Sequence, residues 1–227
     1  MTLFKRWARF VLGMSLVAFG IALTARSDLG TSPISSIAYA WYKITLETRI
    51  PTLSLGVTSL VMNIVFFLIQ WAIAGRRFPK VQFLQIPATF LFGAVIDFAG
   101  WVFSPIPVTT YWGRLLEVLL GSALVALGLV FELSGDILYL PGDGLVKSLN
   151  ELFKLNFSTM KIVNDVTLVL LAALSSYFAL RHVVGVREGT VIAALCVGWF
   201  IKFFRPFVPR VAPVKSAAKD GYVSVDA

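Results

Sequence analysis

The sequence predicts an all-α fold: a polytopic membrane helix bundle built from two homologous halves, with six long spans and two short or broken helices. Three observations carry that expectation. Of the 227 residues, 58% are hydrophobic and only 14% are charged, against roughly 25% charged in a soluble domain. The apolar residues fall in runs close to the roughly 20 residues that a bilayer core asks of a helix. The pattern also recurs, with matching glycine, proline and acidic positions in the second part of the chain.

The first expected span is Phe10–Ala25, preceded by a basic segment with Lys5, Arg6 and Arg9. Such a start mimics a signal peptide, but the run closes on Thr24-Ala25-Arg26-Ser27-Asp28 without a small-x-small cleavage site. A retained span with a cytoplasmic N-terminus is expected. The other spans are Leu53–Ala74, Leu84–Phe103, Leu115–Leu133, Ile162–Leu180 and Thr190–Phe204. Two further segments, Pro33–Ile44 and Pro141–Phe153, read as helices of only about 20 Å, short of a roughly 30 Å hydrocarbon core. The second carries Lys147, Asn150 and Glu151, which lipid would not tolerate. Both are better read as re-entrant or broken than as full spans.

Leu12-Gly13, Leu16-Val17-Ala18 and Gly20 match Leu120-Gly121, Leu124-Val125-Ala126 and Gly128 at an offset of about 108 residues. The same offset carries Asp28 onto Asp136 and Pro33 onto Pro141. Further on the register slips: Gly93 matches Gly198, and Asp97 falls opposite Lys202. The chain therefore divides into a first membrane repeat, 1–110, a second, 111–210, and a disordered cytoplasmic tail, 211–227. Full crossing by both short segments makes the repeats parallel, and re-entry makes them inverted. Basic residues do not decide between the two, because Arg76, Arg77 and Lys80 on one side balance Lys43, Arg49 and Arg114 on the other.

Candidate binding residues cluster at the breaks. In Asp28-Leu29-Gly30-Thr31-Ser32-Pro33, Thr31 or Ser32 can cap a helix that Pro33 opens. Its counterpart runs from Asp136 to Pro141-Gly142-Asp143-Gly144. Helix starts inside a membrane present unpaired N–H groups and a partial positive charge suited to an anion. Paired interrupted segments are a pointer to a transporter site; the alternative is a loop-and-cap element that packs the halves together. Within the apolar runs, Asp97 shares a helix face with Gly93 and Gly100, and is a candidate to carry a coupling proton or a structural pairing. Lys161 and Asp165 stand four apart, as an ion pair on one helix face does. Asn63 is expected to bond between helices, and Glu117 to sit favourably near a helix start. The stripes Gly13, Leu16, Gly20, Thr24 and Gly121, Leu124, Gly128, Glu132 are expected to form the contact between halves, with Glu132 in place of Thr24 as the asymmetric feature.

A net charge of +8 is compatible with nucleic acid, but the basic residues sit at segment ends and in the tail. The lipid bilayer is the expected partner. One cysteine, Cys196, and one histidine, His182, leave no disulfide, metal or thiol-redox framework. HExxH, GxSxG and P-loop patterns are absent, so neither enzyme activity nor a cofactor is expected.

The glycine-bearing first span, the Asp28-to-Pro33 turn and the Pro141-Gly142-Asp143-Gly144 counterpart resemble the YczE/YyaS/YitT family of bacterial membrane proteins over roughly residues 8–205. The chain looks like the compact YczE type, without the soluble C-terminal domain of YitT-type members. The resemblance implies membrane residence and a suspected role in transport, and brings no established site residues. The resulting expectation is a secondary transporter of a small polar or anionic solute in the bacterial inner membrane. Its site would draw on Asp28, Thr31, Ser32, Asp97, Gly142, Asp143, Gly144, Lys161 and Asp165. The alternative is a membrane partner that assists another protein without transport.

Overall fold

The computed structural model describes residues 3–48, 53–135, 137–154 and 157–208. These form helices α1 (Leu3–Arg26), α2 (Pro33–Thr48), α3 (Leu55–Ala74), α4 (Gln85–Phe103), α5 (Tyr111–Gly135), α6 (Pro141–Phe153), α7 (Phe157–Leu180) and α8 (Glu188–Phe204), with no strand among the described residues. Six stretches are long and apolar enough to cross a membrane: Leu3–Arg26, Leu55–Ala74, Lys80–Phe103, Tyr111–Gly135, Thr159–Leu180 and Glu188–Phe207. At 16 and 13 residues, α2 and α6 are the two short helices. The expected tail and Asp136 lie outside the described residues, while Arg205–Phe207 forms a short 3-10 turn. Large apolar side chains such as Phe178 and Leu195 stand exposed on α7 and α8, as a surface solvated by lipid requires.

The first helix begins seven residues before the expected apolar run. Its basic segment packs instead of ending the helix: Arg6 is buried, and Arg9 Nη1 donates to Ser134 Oγ at 3.4 Å.

α1 and α5 pack along most of their length through their glycines. A β-carbon on Gly13 would stand 2.6 Å from the Gly128 carbonyl oxygen, and one on Gly128 2.5 Å from that of Gly13. Gly20 and Gly121 make the same exchange at 2.6 and 2.8 Å. Only glycine lets the backbones come this close. Low numbers on α1 face high numbers on α5, so the two helices are antiparallel.

The remaining helices can be oriented from this pair. Phe19 meets Phe98 and Phe103 edge-on, and Arg26 donates to the Phe103 carbonyl, so α4 runs beside α1 in the same direction. Arg26 Nε also lies 3.6 Å from a Glu117 carboxylate oxygen at the start of α5. These contacts define a far end of the bundle, opposite Leu3. The α3–α4 connection, with Arg76 and Lys80, therefore lies at the N-terminal end. α8 starts at the far end, where Gly189 N–H donates to the Leu29 carbonyl at 2.9 Å.

Both short helices double back. Beyond α1 the chain passes Asp28, which holds a left-handed φ of 58°, and turns inward through Thr31. From Pro33, α2 climbs back out. Tyr39 O–H then donates to the Ala25 carbonyl at 2.8 Å, and Lys43 Nζ lies 2.6 Å from Asp28 Oδ1. Two turns of α2 thus regain the level at which α1 ended. α6 does likewise: Lys147 Nζ sits 4.8 Å from the ring of Tyr139, a residue in the irregular segment leading into that helix. Each short helix thus ends near the level at which the preceding long helix ended.

Candidate functional site

The two re-entrant helices meet at their starts, where Gly142 is seated against the Ile34 side chain. Each start is held by a side chain from the preceding long helix. On the α2 side Thr24 and Thr31 hydroxyls share a hydrogen bond at 2.8 Å, continued to Ser35 at 3.4 Å and from there to Ser32 at 2.6 Å. All four residues are buried. On the α6 side Glu132, only 1% exposed, accepts the Leu140 N–H through Oε1 at 2.6 Å. Its Oε2 has no hydrogen-bond partner. Leu140 has no capping side chain of its own, so Glu132 supplies from α5 the cap that α6 lacks.

A charged group surrounds this second start. Lys161 Nζ of α7 lies 3.6 Å from Asp143 Oδ1 and 3.7 Å from Asp165 Oδ2, and Glu132 interacts electrostatically with Asp143. Asp165 Oδ1 is a second buried oxygen without a partner. Asn164 is buried beside it. Buried amides close the site toward α3 and α4. Gln70 Nε2 donates to the Pro141 carbonyl at 2.7 Å, and Gln85 Nε2 donates to Gln70 Oε1 at 3.3 Å. Gly144 lies directly against the Gln70 amide, where a β-carbon would collide with it.

The expected site residues are thus divided. Asp143, Lys161 and Asp165 come together with Gly142 and Gly144, and Thr31 and Ser32 stand across the Ile34–Gly142 contact. Asp97 is elsewhere. It accepts from Ser54 O–H at 2.5 Å and from Gly56 N–H at 2.7 Å, and so caps the start of α3. Its structural pairing is with a hydroxyl and a backbone amide. Asp28 belongs to the far end. Burial acts to raise its carboxyl, but the hydrogen bond and charge of Lys43 prevail and hold it below the usual carboxylate range. Asn63 donates to Ser59 O of its own helix at 2.9 Å, not across helices as expected. Glu117 pairs with Arg26 as well as lying near its helix start.

Two clefts flank this layer, one at each end of the bundle. The far-end cleft, about 170 Å³, is lined by Asp28, Tyr39, Lys43, Glu47 and Arg187 with the backbone around Gly185. The other is only a gap of about 10 Å³, room for one water at most, beside Gln70, Gln82, Tyr139 and Lys147. The Ile34–Gly142 contact stands between them.

Fold and site together define a membrane protein of six candidate spans with two short helices packed between them. The chain belongs to the family of unknown function DUF6198, whose description matches residues 4–206. It is similar to the uncharacterised membrane protein YczE of Bacillus subtilis (strain 168), with 26% identity over 205 residues, covering 88% of this chain and 86% of that protein. It is also similar to the uncharacterised protein YyaS of the same organism, with 26% identity over 209 residues, covering 90% and 94%. The resemblance to the YczE type seen in the motifs is therefore borne out. No solved structure matches the chain.

Proposed function

We propose that the protein is a carrier of a small polar solute, built from two inverted halves and residing in the bacterial cell membrane. The observation that supports it is the meeting of the two short helices at their starts, Gly142 against Ile34, beside the buried Glu132 and the Asp143–Lys161–Asp165 group, with a cleft of about 170 Å³ at the far end. Paired interrupted helices that meet within the bundle are where carriers built from inverted repeats place their substrate. The antiparallel glycine exchange between α1 and α5 supports inversion, because exchanging each glycine for its repeat counterpart turns the Gly13–Gly128 contact into the Gly121–Gly20 contact. Charge at the α6 start, with three carboxylates to one lysine, suits a neutral or cationic solute better than an anionic one. The N-terminal end collects Lys5, Arg9, Arg76, Lys80, Lys154 and Arg205, which favours placing it in the cytoplasm. No catalytic step enters this reading.

The test is uptake into liposomes across a panel of polar solutes, using a protein that carries Ile34→Cys and Gly142→Cys with Cys196 replaced by serine. Uptake should occur in the reduced state, stop when the two cysteines are oxidised to a disulfide, and return on reduction. Persistent absence of flux in the folded wild type would sink the carrier reading. It would favour a membrane partner without transport, a role to which the mutually satisfied Gln70, Gln85 and Pro141 groups at the closed tip are suited.

A further inference from the structure

Glu132 is the only acidic side chain among the described residues that is 1% exposed within a candidate span, with one carboxylate oxygen bonded and the other unpartnered. Beside it the Asp143–Lys161–Asp165 set holds its ions at 3.6 and 3.7 Å, looser than close charge-assisted hydrogen bonds. Together the four side chains offer three carboxylates to one ammonium. Such a set is short of positive charge in surroundings that tolerate charge only when it is compensated. Other charged neighbours are engaged or remote. Arg6 and Arg9 of α1 lie further toward the N-terminal end, against Gly135 and Ser134, and Lys202 of α8 is exposed.

We propose that Glu132 Oε2 binds an exchangeable proton, and that the carrier described above is coupled through it. Geometry selects a proton over a metal ion. A proton needs one free oxygen, which Oε2 provides, whereas sodium needs several converging oxygens, and Lys161 already spans Asp143 and Asp165. Position gives the proton a mechanical consequence. The same carboxylate fastens Leu140, the residue from which α6 starts, so a change of protonation acts on the hydrogen bond that holds the re-entrant helix. The equivalent position on the α2 side is Thr24, whose hydroxyl bonds the Thr31 hydroxyl at 2.8 Å, a side-chain contact in place of the Leu140 backbone cap, and which has no carboxyl to titrate. Proton coupling therefore belongs to one half alone. This rests on the carrier reading for its purpose, although the binding event can be observed without flux.

The experiment is infrared difference spectroscopy of the purified full chain in lipid nanodiscs, titrated over pH at constant ionic strength. The wild type should show a protonated-carboxyl band that titrates, and Glu132→Gln should lose it. Asp143→Asn leaves the Leu140 cap in place, so it keeps the measurement open if Glu132→Gln fails to fold. That variant should retain the band with a displaced midpoint. The proposal is overturned if the band persists in Glu132→Gln, if the midpoint is unmoved in Asp143→Asn, if no titrating band exists, or if sodium abolishes it at fixed pH. A titrating Glu132 in a protein that moves no solute would retain the proton site and remove the carrier. Flux whose pH dependence survives in Glu132→Gln would do the reverse.

Discussion

Asp97 shows how much one side chain in an apolar run can reveal and conceal. Its cost inside a membrane identifies it from sequence as a group with a task, and its spacing from Gly93 places it on the face turned toward protein. The partner is the part that spacing does not give. Ser54 and Gly56 lie 43 and 41 residues away, and they reach Asp97 only because α3 descends beside α4, glycine against glycine. The carboxylate completes the cap of α3, so its loss should be felt as stability. Replacing it by alanine leaves the Gly56 N–H and the Ser54 hydroxyl without their acceptor, which costs roughly 1–3 kcal/mol. Asp97→Asn, retaining one acceptor oxygen, should lose about half of that. Thermal unfolding of both variants in one detergent checks the order. If Asp97→Ala melts with the wild type, the cap is not what the carboxylate is for. Lys161 and Asp165 were more legible, because a helix places residues four apart side by side. Asp143 joined them through the fold alone. Gln70 and Gln85 had no such signal, since their contact depends on the 3-10 connection between α3 and α4.

At the scale of helices, the glycine stripes were readable because close packing inside a membrane has few other means. Gly13 and Gly20, like Gly121 and Gly128, are seven apart and return to one face after two turns. The structure adds the direction of the pairing, each glycine meeting the opposite member of the other stripe. The prediction is sharp because a control lies on the same chain. Gly128→Val would drive a branched side chain into the Gly13 carbonyl and Val17, with first contacts at 2.5 and 2.7 Å. Overpacking of this kind costs typically 1–3 kcal/mol, and here backbone must move to relieve it. Gly100 also lies in a helix, but a β-carbon there meets nothing within 4 Å. Gly100→Ala should therefore be neutral or stabilising by roughly 0.5–1 kcal/mol, from helix propensity. Unfolding of the two variants in parallel separates a packed crossing from a general intolerance of change at glycine. Equal losses at both positions would contradict the crossing.

For the molecule as a whole, the question that composition left open was direction. Three basic residues on each side gave a tie, and length alone only hinted that Pro33–Ile44 and Pro141–Phe153 re-enter. The deciding contacts are long-range. Tyr39 reaches the carbonyl of Ala25, and Lys43 reaches Asp28, so the chain after α1 returns to the end it had just left. Everything downstream follows from that return: α3 must run back toward Leu3, its connection to α4 must emerge there, and α5 must oppose α1. Single cysteines introduced at Lys80 and at Val108, in a chain with Cys196→Ser, convert this into a measurement. In intact cells a membrane-impermeant maleimide should label Val108→Cys and spare Lys80→Cys until the cells are opened. Glu47→Cys should behave as Val108→Cys does. Full crossing by α2 would instead leave Glu47 on the same side as the N-terminus and carry Lys80 to the other. Labelling of Lys80→Cys in intact cells, with Glu47→Cys protected, would therefore overturn the re-entrant path of α2 and the inverted arrangement that depends on it.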